Sequence, residues 1–134
     1  MPVIDLKHVN IRAPRERLLE MRDFYRDAVG LVEGPRPPFQ SEGFWMYAGK
    51  QPLVHLVIGK EEDALDTTTR TTLDHIAFGS AGFEAMRASL DARGVAYVIR
   101  EVPMLGQRQI FCRDPAGNGV ELLFAHPPNQ QGDS

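Results

Sequence analysis

The sequence predicts an α+β fold built from two β-α-β-β-β modules, and three observations carry that prediction. The order strand, helix, then three short strands can be read twice along the 134 residues. Landmark residues of the two copies are separated by nearly constant offsets: His8 to His75 spans 67 positions, Gly30 to Gly94 spans 64, and His55 to Glu121 spans 66. Apolar spacing also switches between the period of strands and the three-and-four spacing of helices at matching places in both copies.

In the first module, residues 3–60, Val3 to Arg12 reads as a strand. Its second part puts His8, Asn10 and Arg12 on one face and Val9 and Ile11 on the other. Pro14 suits the first turn of a helix, where an N–H would lack an intrahelical partner anyway. Leu18, Met21, Tyr25 and Ala28 follow at spacings of three and four, and Gly30 stands where a helix commonly ends in a left-handed glycine. After a turn rich in Pro35, Pro37 and Pro38, the runs Gly43 to Tyr47 and Pro52 to Ile58 read as strands. The polar, Thr-rich residues 61–72 are the expected linker.

In the second module, residues 73–125, Leu73 to Phe78 is the first strand, and Ser80 is expected to cap a helix carrying Phe83, Met86 and Leu90 on one face. Gly94 ends it. Val95 to Ile99, Gln109 to Arg113 and Gly119 to Phe124 are the remaining strands. The last two are joined by Asp114-Pro115-Ala116-Gly117-Asn118, residues that either fix φ or tolerate positive φ. Residues 126–134 form a polar tail. Neither module can bury its own sheet face alone, so the expectation is a single domain over residues 1–134.

Composition narrows the function. A chain that is 43% apolar and 25% charged is an ordinary globular one, which excludes collagen-like, rod-like and wholly disordered chains. No stretch approaches the roughly 20 apolar residues of a membrane span, and Met1-Pro2-Val3-Ile4-Asp5 does not read as a signal peptide. Cys112 is the single cysteine, so an internal disulfide is excluded and a reducing cytoplasm is the expected compartment. Fifteen Lys and Arg against 18 Asp and Glu leave a net charge of −3, which argues against a nucleic-acid partner. The arginines between Arg12 and Arg26 alternate with Glu16, Glu20, Asp23 and Asp27, the pattern of a solvated helix face. Phosphate-cradling loops, zinc-finger cysteine spacings and serine-nucleophile elbows are absent from the sequence.

Four polar side chains stand at equivalent places of the repeat: His8 with His75, and His55 with Glu121. Each lies within an otherwise apolar strand, and a carboxylate inside Gly-Val-Glu-Leu-Leu-Phe is costly to bury without a partner. A divalent cation removes that cost and takes neutral imidazoles as ligands. Three histidines and one glutamate suit a first-row ion (zinc, nickel, cobalt, manganese or iron), whereas calcium or magnesium takes more oxygen. His126 falls outside the repeat and reads as a surface residue.

The segments Leu6-Lys7-His8-Val9-Asn10-Ile11, Phe24-Tyr25 before Gly30-Leu31, Leu73-Asp74-His75-Ile76-Ala77-Phe78 and Asp114 to Leu122 resemble the vicinal-oxygen-chelate superfamily. That superfamily holds glyoxalases, extradiol dioxygenases, methylmalonyl-CoA epimerases and fosfomycin- or bleomycin-resistance proteins. The resemblance implies paired modules whose curved sheets form a half-open barrel around a metal cavity, and by analogy with short family members a homodimer. It implies His8, His75 and Glu121 as metal ligands, with His55 as a fourth ligand or acid–base residue and Glu121 or His55 moving the proton. The metal would act as a Lewis acid on a small substrate with adjacent oxygens. With that face as the cavity wall, strand alternation adds Asn10, Trp45, Tyr47, Leu53, Phe111 and Arg113 as substrate-facing candidates.

The expected activity is therefore a metal-dependent, glyoxalase-like lyase or isomerase. Two alternatives stand beside it. In a ferrous-iron ring-cleaving dioxygenase, His55 would take a second-sphere role, although Phe111 occupies the place where those enzymes usually carry a tyrosine. In a metal-free binding or drug-sequestering protein, the same residues would line a ligand cavity. Glyoxalase I carries a glutamate where this chain has His55, so its hemithioacetal reaction is not specifically implied.

Overall fold

A computed structural model of the chain describes residues 2–60 and 72–125. The linker expected at 61–72 lies outside the described residues except for Thr72, and the tail at 126–134, with His126, lies outside them entirely. The chain divides into two compact units, Met1–Thr67 and Thr68–Ser134. Each holds one four-stranded mixed sheet, and the two sheets repeat one topology.

In the first unit, β1 (Val9–Ala13), β2 (Val32–Gly34), β3 (Gly43–Ala48) and β4 (Gln51–Ile58) are ordered β1-β4-β3-β2. β1 runs parallel to β4, and the other neighbours are antiparallel. The helix α1 (Arg15–Asp23) packs over β1 and β4. Val54 and Leu56 point into that contact and are fully buried with Leu18, Met21 and Met46. Because strand side chains alternate, the same register turns His55 to the opposite face. This explains why β4 reads as a continuous apolar run: both faces are partly covered.

Sequence spacing predicted one helix through Ala28, but α-helical geometry stops at Asp23 and continues as a π-helical turn, Phe24–Val29. The wider turn buries Phe24, Tyr25, Ala28 and Val29 together. It closes when Gly30, at φ 98°, lets its own N–H and that of Leu31 both reach the Tyr25 carbonyl at 3.1 and 2.8 Å. Only glycine takes that φ without strain. The first strand is also shorter than expected. Pairing with β4 begins at Val9, and Val3, Ile4 and Leu6 are largely exposed.

In the second unit, β5 (His75–Ser80), β6 (Val98–Val102), β7 (Gln107–Arg113) and β8 (Gly119–Ala125) are ordered β5-β8-β7-β6, with β5 parallel to β8. The core is Phe83 and Leu90 of α2 (Phe83–Ala92) with Ile110, Cys112, Val120, Leu122 and Phe124 of the sheet. Ser80 does not cap α2. It ends β5, its hydroxyl donates to the Phe78 carbonyl at 3.0 Å, and Gly82 (φ 77°) takes the cap position. β6 begins at Val98, later than its apolar residues suggest, because antiparallel pairing with β7 sets its ends.

The β7–β8 turn is held by one side chain. Buried Asp114 accepts the N–H groups of Ala116 and Asn118 on Oδ1 and the Asn118 amide on Oδ2, each at 2.9 Å. Its oxygens are thus occupied within the turn, and the turn fixes the register that carries Glu121. Cys112 lies under the sheet, where burial, with Asp114 nearby, pushes its thiol up to about 11, so it is no nucleophile. No helix among the described residues is long and apolar enough to cross a membrane.

Candidate functional site

Each unit brings together two of the four landmark residues. In the first unit, His55 faces away from α1 and is buried, with 8% of its surface exposed. Its strand register places Asn10 on one side and Trp45 on the other. The imidazole is sandwiched: His8 stacks on it at 3.9 Å between centroids with planes 10° apart, and Trp45 stacks at 4.0 Å and 13°. Phe39 leans on Trp45 at 6.3 Å. The Pro52 carbonyl hydrogen-bonds the His55 ring, while Nε2 is buried without a hydrogen-bond partner. The bond to Pro52 therefore falls to Nδ1–H, which leaves a lone pair on Nε2.

The second unit builds its pair differently. His75 Nε2 lies 2.9 Å from Glu121 Oε1, and His75 Nδ1 lies 2.8 Å from Asp74 Oδ2. Gln109 donates from Nε2 to Glu121 Oε2 at 3.2 Å. Glu121 is buried at 6% exposure, whereas its imidazole partner keeps 36% of its side chain in solvent. Phe111 sits directly opposite Glu121 and presents its ring edge-on to His75 at 5.5 Å. The site depends on Gly119, which pairs with His75. A Cβ there would lie 2.2 Å from the Asp74 carbonyl oxygen and 2.9 Å from the His75 Cβ.

The other substrate-facing candidates fall in different surroundings. Asn10 is exposed beside His55 in the register, and Leu53 is half-buried where the β3–β4 pairing shifts. The Tyr47 hydroxyl donates to the Pro35 carbonyl at 2.5 Å, and its ring covers Gly34, so it ties down the Pro-rich turn. Arg113 is exposed and donates to the Gly117 carbonyl at 3.0 Å, at the end of its strand. Among the described residues, no group of three or more His, Cys, Asp or Glu side chains is arranged to hold a metal ion. Asp74 and Gln109, which orient His75 and Glu121, were not singled out from the sequence. Their signals were adjacency to His75 and a shared face with Phe111.

The two histidines titrate in opposite directions. Burial, followed by the nearby His8, lowers His55; the hydrogen bond that His75 Nδ1–H donates to Asp74 raises His75 against the opposing effect of burial, and Glu121 adds to the rise. In metal-free protein, ring-proton NMR should show His55 charging below and His75 above the ordinary value of 6.5. The stability linked to neutral His55 is present above pH 6.5 and is lost as pH falls through its folded value. That linked to charged His75 is present below pH 6.5 and fades as pH rises through its own value, a small effect for a ring so exposed. Equal titration of both rings would contradict these surroundings.

A duplicated β-α-β-β-β protein with His55, His75 and Glu121 on its strands and His8 just before β1 is a defined class. The chain belongs to the glyoxalase/bleomycin resistance protein/dioxygenase superfamily, whose family model matches residues 6–122. No curated protein matches it. Among solved structures, a glyoxalase family protein from Bacillus anthracis is 23% identical with a TM-score of 0.71, over 92% of this chain and 96% of that one. A mutant of the fosfomycin resistance protein FosX from Listeria monocytogenes, complexed with Mn(II) and 1S,2S-dihydroxypropylphosphonic acid, is 18% identical with a TM-score of 0.66, over 98% and 99%. TnmS3, an antibiotic binding protein from Streptomyces sp. CB03234, is 20% identical with a TM-score of 0.65, over 93% and 98%. Enzymes and binding proteins thus share this fold.

Proposed function

We propose that this chain is a metal-dependent lyase or isomerase of the glyoxalase type, acting on a small substrate with adjacent oxygens. The observation that carries the proposal is the buried His55 Nε2, which holds a lone pair and has no hydrogen-bond partner. Leaving such an atom unsatisfied is costly, and a ligated cation would remove the cost. The donor set suits a first-row divalent ion: imidazole nitrogens whose opposite ring atoms are hydrogen-bonded, and one carboxylate steadied by Gln109. His8, His75 and Glu121 would hold the ion, with His55 as fourth ligand or proton carrier. Bound there, it would supply Lewis acidity towards the substrate oxygens.

The chain's own groups do the rest. His55 stays neutral near pH 7, so its Nε2 can accept a proton. Glu121 offers a carboxylate that Gln109 and His75 keep in one orientation. Trp45 lies flat on His55, Phe111 stands against His75, and the Asn10 amide can bond a substrate oxygen. A homodimer belongs to the same reading, with the exposed apolar Val3, Ile4 and Leu6 as surface for it to cover. The second reading is a binding protein, favoured by the ring stack of His8, His55 and Trp45, which suits a planar ligand.

Elemental mass spectrometry of untagged protein tests the first reading. About one first-row ion per chain is expected, with turnover independent of oxygen. Iron together with oxygen consumption on catechols would replace it with ring cleavage. No metal, even after dialysis against these ions, would overturn it in favour of the binding protein.

A further inference from the structure

The turn between β2 and β3 carries a cation that no carboxylate among the described residues neutralises. Arg36 is half-buried; its Nη1 and Nη2 donate only to the neutral carbonyl and hydroxyl of Ser41, at 2.9 and 3.3 Å. Its Nε is buried with no hydrogen-bond partner. Glu42, close by in sequence, is engaged with Arg15 at 2.5 Å, and among the described residues no carboxylate pairs with Arg36.

The guanidinium is placed by its contacts with the start of β3 and with Phe39. Gly43 and Trp45 share one face of β3, and Trp45 lies directly opposite His55. A Cβ on Gly43 would meet the Leu56 carbonyl oxygen at 2.2 Å and Arg36 Nη2 and Cζ at 3.1 and 3.2 Å, so the guanidinium lies against the start of β3. It also lies over the Phe39 ring at 5.0 Å, and Phe39 leans on Trp45.

We propose that Arg36 anchors a small oxyanion, and hence that the substrate carries an anionic group in addition to its adjacent oxygens. The inference rests on the first unit's imidazole face being part of the substrate site. A partly desolvated guanidinium with an unused buried N–H gains a charge-assisted bond when a carboxylate or phosphate arrives. Trp45 and Phe39 give the neighbouring wall for the uncharged part of the molecule.

Trp45 is the chain's single tryptophan, so its fluorescence reports on this face directly. In metal-free protein kept in EDTA, titration with glycerate and with glycerol 3-phosphate should change the emission saturably, while glycerol should not. The stronger of the two anions tells carboxylate from phosphate recognition. Arg36→Gln should weaken that binding about tenfold or more. Arg36→Lys should fall between, since it keeps the charge and loses the fork. Ser41→Ala, which removes a loop contact and leaves the charge, should bind as wild type. Equal binding by wild type and Arg36→Gln, no binding of either anion, or equal binding of glycerol would overturn the proposal. Loss in Ser41→Ala equal to that in Arg36→Gln would overturn it too, reducing Arg36 to a loop brace. Because the titration contains no metal, its failure leaves the metal content unaffected, and a metal-free protein can still pass it.

Discussion

Replacing His75 with alanine is expected to reduce metal affinity by at least about a hundredfold, more than loss of an outer-shell partner costs. The imidazole is fixed from both sides, by Asp74 at Nδ1 and Glu121 at Nε2, so its removal takes away both a donor and the group that orients the buried carboxylate. Glu121 would keep only the long Gln109 bond. The metal-free variant should therefore also lose about 1 kcal/mol of stability, a modest figure because His75 is partly in solvent. Isothermal titration with zinc and a denaturant midpoint measure the two effects separately. A variant that binds zinc as wild type does would remove His75 from the ligand set.

Gly119→Ala should be the most damaging single methyl in the second unit. β5 and β8 run parallel, with His75 opposite Gly119, and the added carbon would stand 2.2 Å from the Asp74 carbonyl oxygen. That neighbour is backbone, so the strands must separate or slip. Forcing atoms into a packed site costs about 1–3 kcal/mol, occasionally more, and here the shift falls on His75 itself. Lower thermal stability and weaker metal uptake should appear together. Gly79→Ala, at a β5 glycine whose Cβ would meet nothing within 4 Å, should leave metal uptake unchanged. If Gly119→Ala were as stable as wild type, the close approach of β5 and β8 would not be what places His75.

The duplicated fold was legible because its signals are local. Leu18 and Met21 mark a helix face, Gly30 and Gly94 stop the helices, and Asp114 to Asn118 close a turn through bonds among five consecutive residues. Boundaries were less legible wherever a strand's end depends on its partner. Val3, Ile4 and Leu6 are apolar enough for a strand, yet no neighbour pairs with them within their unit, and β1 starts at Val9. Ser80 has the chemistry of a helix cap, but the chain spends two more residues reaching Gly82 before α2 begins. The π-helical turn leaves no separate periodic mark, because the residues it buries also fit an α-helical stripe.

By itself the sequence determined the α+β class, the repeat, and four polar residues at equivalent positions of it; all follow from spacing along the chain. Only the tertiary structure decided what surrounds those donors. The ring stack on His55, the free Nε2 lone pair, the Asp74–His75–Glu121–Gln109 chain and an Arg36 without a carboxylate partner among the described residues join residues 1 to 47 positions apart. Side-chain partners over such separations are set by strand register and packing, which act through space and leave no period in the sequence.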